Sequence, residues 1–159
     1  MCDSASGAGR EHGLDHLISE LRRLAAAYVL VRGRTLNVTN EVGELEAARR
    51  LGLTLMTERD TGHDAIGKDG ARVCIRSRVV PDIADPGPIC INGLKIGASW
   101  DAVVLVLLDP QYELLSIYRA ERADLQRAMS ASRNRKPSAK PAFSINTFVK
   151  CGRKVWPES

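Results

Sequence analysis

Aromatic side chains are scarce in this chain: two Trp, three Tyr and two Phe, 4% of 159 residues. They form no stripe interleaved with basic residues, which argues against recognition of single strands by base stacking. Long apolar runs are missing as well. The longest, Ala102–Leu108, falls far short of the roughly 18 residues that cross a bilayer. No N-terminal stretch joins basic residues to an apolar core, so the reading is a cytoplasmic protein with no membrane partner. The four cysteines, Cys2, Cys74, Cys90 and Cys151, contain no C-x-x-C pair. That excludes a zinc framework and a small disulfide scaffold, and leaves reduced, mostly buried thiols. Of three histidines, His12 and His16 stand at i, i+4, but no third metal ligand lies near them in the chain.

What is present describes a globular protein. The apolar fraction is 44% and the charged fraction 26%, over a length that suits one domain. Charge is distributed unevenly. Residues 1–118 hold 13 basic and 16 acidic groups, whereas 119–154 hold 10 basic groups against Glu121 and Asp124 alone, a local balance of +8. So one-sided a segment points to a polyanionic partner or to a solvated tail.

Residues 1–12 are small and polar and read as a disordered start. Leu14, Leu17, Ile18, Leu21, Leu24, Ala25 and Tyr28 recur at helical spacing, which predicts an amphipathic helix over 13–29. A second helix is expected over 40–51, capped by Thr39 or Asn40 and ended by Gly52. Strands are expected at 53–57, 62–67, 71–78, 101–109 and 112–118, with a Pro- and Gly-rich loop over 81–98. A short helix at 121–130 and a basic loop at 130–142 follow. Ser144 should cap a last helix with Ile145, Phe148, Val149, Gly152 and Trp156 on one face. The order implies an α/β fold, a single mixed central sheet flanked by helices, in one domain over 13–156.

Chemistry concentrates on the first hairpin. Glu44 lies at the edge of a buried helix face, an uncommon place for a carboxylate. Asp64 interrupts a strand, and Cys74, Arg76 and Arg78 alternate along the next one and share a face. Two registers are open. If Asp69 and Gly70 form a two-residue turn, Asp64 faces Ile75. If residues 68–70 form a three-residue loop with Gly70 left-handed, Asp64 faces Cys74 on the side of Arg76, and Val73 and Ile75 stay together on the apolar face. The second is preferred.

This order of signals resembles the PD-(D/E)xK, or restriction-endonuclease-like, nuclease superfamily. The stretch 43–53, then Gly62, His63, Asp64 and Ala65, then Val73, Cys74, Ile75 and Arg76, is similar to a group of small bacterial domains of that fold. The later hairpin and a closing helix beginning Phe143, Ser144, Ile145, Asn146 also match, so the resemblance covers about residues 40–156. It implies hydrolysis of phosphodiesters by Mg²⁺ or Mn²⁺ held on hard oxygen ligands. Carried over by position, Asp64 matches the essential aspartate and metal ligand, and Glu44 the helix acid. Cys74 falls where the family has Glu or Gln, and Arg76 where it has Lys. A thiol is a soft ligand, and a guanidinium keeps its proton, so these two positions lose the family's ligand and its base. Lys68 or Lys95 would have to stand in for the lysine.

The expectation is therefore a degenerate, weakly active or inactive nuclease fold that holds nucleic acid, DNA in the first instance, or a partner protein. Arg72, Arg76 and Arg78 would contact phosphates, with Arg133, Arg135, Lys136 and Lys140 as a basic arm. The alternative is a divergent Mg²⁺- or Mn²⁺-dependent endonuclease with Asp64 and Glu44 as ligands. A third reading is a protein-interaction module, a homodimer through the leading helix among its forms.

Overall fold

The computed structural model describes residues 5–58, 61–91, 93–95, 97–131 and 143–158, with the side chains of 5–12 left out. The chain divides into two compact units, Met1–Asn37 and Val38–Ser159. The first is built on helix α1, Ala5–Arg32, whose start precedes the expected one at residue 13. Ala5, Ala8, Arg10 and Glu11 are good helix formers, and their propensity extends a helix that the apolar spacing marks only from Leu14. Gly33, at φ 67°, closes it, its N–H donating to the Val29 carbonyl at 2.8 Å. No helix among the described residues is long and apolar enough to cross a membrane.

The second unit is α/β. Its elements are α2 (Val38–Leu51), β1 (Thr54–Leu55), β2 (Ala65–Ile66), β3 (Arg72–Val79), β4 (Cys90–Ile91), β5 (Ala102–Leu108), β6 (Leu114–Glu121), α3 (Arg122–Ala131), β7 (Phe143–Ser144), α4 (Ile145–Cys151) and β8 (Arg153–Trp156). One mixed sheet runs β1-β2-β3-β5-β6-β8. Only β3 and β5 pair in parallel, and the other contacts are antiparallel. The expected Pro/Gly loop contributes β4, which pairs with β7 in a separate two-stranded ribbon. Two-residue strands carry too little periodicity to stand out in sequence.

The sheet is organised by β5, all seven residues of which are buried. Val103, Leu105 and Leu107 face one core, together with Cys74, Trp100, Leu125, Ile145 and Phe148. Val104, Val106 and Leu108 face the other, with Ala47, Val73, Ile75 and Ile117. Helix α2 thus covers one face, while α3 and α4 cover the opposite one. Ser144 caps α4 as expected, accepting from Thr147 N at 3.1 Å. The expected single face of this helix is corrected beyond Val149. The helix ends at Cys151, and Trp156 lies on β8, packed into the core opposite that of Phe148. Gly152 sits against β6, where a Cβ would come within 2.8 Å of the Arg119 carbonyl oxygen.

Helix α2 seats on β3 through Gly43, where a Cβ would stand 1.7 Å from Ser77 Oγ and 2.6 Å from Ser77 Cβ. Gly43→Ala must therefore push the helix off the strand. We expect a loss of about 1–3 kcal/mol in urea unfolding followed by tryptophan emission, with partial recovery in Gly43→Ala/Ser77→Gly. An unchanged midpoint would show that α2 is not seated there.

Candidate functional site

The hairpin takes the preferred register. Ala65 pairs with Val73 and Ile66 with Arg72. Gly67 N–H donates to the Ala71 carbonyl at 2.9 Å across a three-residue loop whose last residue, Gly70, has φ 79°. Asp69 braces this loop by accepting from Ala71 N at 3.0 Å. Asp64 therefore stands opposite Cys74 and, through its own N–H, donates to Val73 O at 2.8 Å.

Beyond Asp64 the short β2 supplies no further carbonyl to β3, and the aspartate side chain takes over the pairing. Asp64 Oδ2 accepts from Ile75 N at 2.7 Å and from Arg76 Nη1 at 3.1 Å. The same Nη1 donates to the Ile75 carbonyl at 2.8 Å, and Nη2 to the Gly93 carbonyl at 3.1 Å. The two side chains are 33% and 24% exposed, so the pair is partly screened and charge-assisted rather than buried. Cys74 is 4% exposed, and its Sγ donates to the Gly62 carbonyl at 3.5 Å. Burial first, and the Asp64 charge second, push the Cys74 thiol up to about 11. At neutral pH it is a protonated thiol, the form that does not bind metal.

The other two arginines of the strand are engaged as well. Arg78 donates through Nε to the Cys90 carbonyl at 3.0 Å and through Nη1 to the Ser77 carbonyl at 2.7 Å. Burial and the Arg76 charge lower its pKa. Arg76 and Arg78 thereby fasten the segment that links the parallel strands β3 and β5. Arg72 forms a two-pronged pair with Asp101, Nε to Oδ2 at 3.0 Å and Nη2 to Oδ1 at 2.9 Å, and Asp101 Oδ2 also accepts Arg72 N at 2.8 Å. These bonds hold the Asp101 carboxyl far below the ordinary carboxylate range. Sequence reading passed over Asp101. Its cue was an acid directly before a buried strand, and its partner becomes visible only once β5 lies beside β3.

The ridge of three arginines is thus largely neutralised. Arg72 answers Asp101 and Arg76 answers Asp64, while Arg78 is bonded to carbonyl oxygens. Glu44 stands on α2, the helix that covers the face of the sheet opposite to Cys74. The neighbouring positions Gly43 and Ala47 of α2 pack on the face of Val73, Ile75 and Ser77, opposite to Cys74, Arg76 and Arg78. Among the described residues no group of three His, Cys, Asp or Glu side chains can hold a metal ion. A guanidinium and a thiol beside Asp64 do not fit Mg²⁺ or Mn²⁺, which require several oxygen ligands.

Of the candidate replacement lysines, Lys68 lies in an open groove of about 270 Å³ with Leu51, Leu53, Arg119, Arg153 and Val155, and its side chain reaches Gly52 at the end of α2. Lys95 is exposed on the linking segment, where its carbonyl accepts Trp100 Nε1 at 2.8 Å. Arg133, Arg135, Lys136 and Lys140 lie outside the described residues. Comparison of the chain with protein-family models and with curated proteins finds no match.

A raised pKa and burial make one chemical expectation. In the native protein at pH 8, Cys74 should react with iodoacetamide at least about 100-fold more slowly than an exposed thiol of ordinary pKa. In denaturant the difference should vanish. Mass mapping of the alkylated peptides, with exposed Cys90 as internal reference, reads the result. Equal rates for Cys74 and Cys90 in the native state would show that Cys74 is not buried against the hairpin.

Proposed function

We propose that the chain is a cytoplasmic nucleic-acid-binding protein whose restriction-endonuclease-like domain has lost its hydrolytic site. The observation that carries the reading is the state of Asp64. In a metal-dependent nuclease that carboxylate would coordinate a cation. In this chain it accepts from Arg76 and from the backbone of β3. A guanidinium fixed by one carboxylate and two carbonyl oxygens supplies the positive charge that a metal would otherwise bring, but it activates no water. The order of helix α2, a hairpin bearing Asp64, and strand β3 bearing Arg76 supports the resemblance on which this reading rests.

Binding is assigned to the surplus of charge outside that cluster. The +8 balance of residues 119–154 suits a phosphate backbone. In the described part of this segment, Arg119 and Arg127 answer Glu121 and Asp124 and Arg122 donates to the carbonyls of Trp100 and Ala98, which leaves the rest of the surplus to Lys150, Arg153, Lys154 and the basic residues between 133 and 140. Contacts of this kind hold duplex DNA without reading its sequence and weaken steeply with salt.

Two measurements test the reading together. Supercoiled plasmid incubated with Mg²⁺ or Mn²⁺ should stay intact, for the parent protein and for Asp64→Ala alike. In mobility-shift titrations the parent should bind duplex DNA, with the logarithm of affinity falling linearly against the logarithm of salt concentration. Joint replacement of Arg133, Arg135, Lys136 and Lys140 by Gln should weaken binding and reduce the salt slope by about 3–4. Metal-dependent cleavage that Asp64→Ala abolishes would instead establish the divergent endonuclease. Absence of binding at low salt would remove nucleic acid as the partner.

A further inference from the structure

Helix α1 exposes an apolar stripe of a particular period. Leu14, Leu17, Leu21, Leu24, Tyr28 and Val31 follow one another at steps of three and four, the a and d positions of successive heptads. Leu14 is 58% exposed, Leu17 64%, Leu21 48%, Leu24 51% and Val31 82%, while Tyr28 is half-buried with its hydroxyl enclosed. A period of 3.5 rather than 3.6 keeps such a stripe aligned on another helix, and an exposed patch of this size marks an interface. The charges of the helix identify its partner. Residues 11–20 carry Glu11, Asp15 and Glu20 and no Lys or Arg, whereas 21–32 carry Arg22, Arg23 and Arg32 and no acid. Over the length of the seam the charge is therefore −3 in 11–20 and +3 in 21–32, with Arg10 ahead of it, and the seam is complementary to its own reverse.

We propose that α1 pairs antiparallel with α1 of a second copy of this chain. With the two-fold axis between Leu21 and Leu24, the layers are Leu14 on Val31, Leu17 on Tyr28 and Leu21 on Leu24, each formed twice. In the heptad register of the sequence Glu11 and Arg32 fall at e positions, which face each other in this arrangement, again twice. A parallel pair would align like-charged halves and leave the e and g positions without an opposite-charge partner; it would also align the helix dipoles. Six seam side chains per helix, at about 60–120 Å² each, bury about 700–1,400 Å² in total. The upper part of that range reaches the size of a specific interface.

Sedimentation of the full chain from about 1 to 100 μM tests the pairing. The parent should approach twice its mass of 17.4 kDa as concentration rises. Leu21→Glu should raise the dissociation constant about 100-fold or more, since each dimer loses two central leucines. Arg32→Glu should weaken the dimer, and Glu11→Arg/Arg32→Glu should restore it, because the swapped pair is re-formed only in the antiparallel arrangement. Emission of Trp100 and Trp156, both in the Val38–Ser159 unit, should be the same in every variant and certify that this unit is folded. A parent that stays at 17.4 kDa throughout would overturn the proposal and assign the stripe to another protein or to the rest of its own chain. A dimer that survives Leu21→Glu would place the interface elsewhere, and failure of the charge swap to restore association would overturn the antiparallel arrangement.

Discussion

Strand β5 has no polar side, and the rest of the Val38–Ser159 unit is arranged around that constraint. Its seven residues are buried on both faces, so the fold has to supply two separate apolar layers and a hydrogen-bonded neighbour on each edge. Helix α2 forms one layer and α3 with α4 the other. Strand β6 follows through a tight turn in which Asp109 accepts from Gln111 N and Glu113 N. The other edge is taken by β3 running parallel, which demands a long connection between the end of one strand and the start of the next. Among its described residues that connection holds no helix. It is stitched to the sheet by side chains instead: Arg76 to Gly93, Arg78 to Cys90, and Arg122 to the carbonyls of Trp100 and Ala98 while its guanidinium lies 4.0 Å over the Trp100 ring.

The candidate site is a consequence of this stitching. Arg76 reaches the connecting segment only by passing the end of the hairpin, where Asp64 completes the ladder of β3. One residue thus answers a carboxylate, a strand carbonyl and a loop carbonyl. Such a group is held from three sides, and removing its charge would leave a half-buried carboxylate without its counter-ion. The same bonds that close the fold engage Asp64 Oδ2 and set a guanidinium beside the carboxylate. This is the physical link between the architecture and the proposed loss of hydrolysis: Arg76 ties the hairpin, strand β3 and the connecting segment together.

The leading helix follows a different logic. In the Val38–Ser159 unit, apolar side chains find each other within the chain. In α1 most of the leucines and valines are exposed, and Glu11, Asp15 and Glu20 precede Arg22, Arg23 and Arg32. Part of that charge order offsets the helix dipole. The heptad spacing does not serve the dipole, and it is the feature that calls for a second helix. Nucleic-acid binding and self-association are compatible, since two copies would double the number of phosphate contacts.

Much of the architecture was legible in the chain because its signals are local. The continuous apolar run of β5, the alternation of β3, the left-handed Gly70 and the Ser144 cap each depend on a few neighbouring residues. From them followed the α/β sheet, the hairpin register and the meeting of Asp64, Cys74 and Arg76. The ribbon of β4 with β7, the end of α4 before Trp156 and the pairing of Arg72 with Asp101 were not legible, because each joins residues remote in sequence. Glu44 shows the same division. Its place on a helix could be read from spacing, but which face of the sheet that helix covers was decided by the seat of Gly43 on Ser77. Sequence determines which groups are available and how they alternate. Tertiary packing decides which of them spend their charge on one another, since that depends on which strands become neighbours.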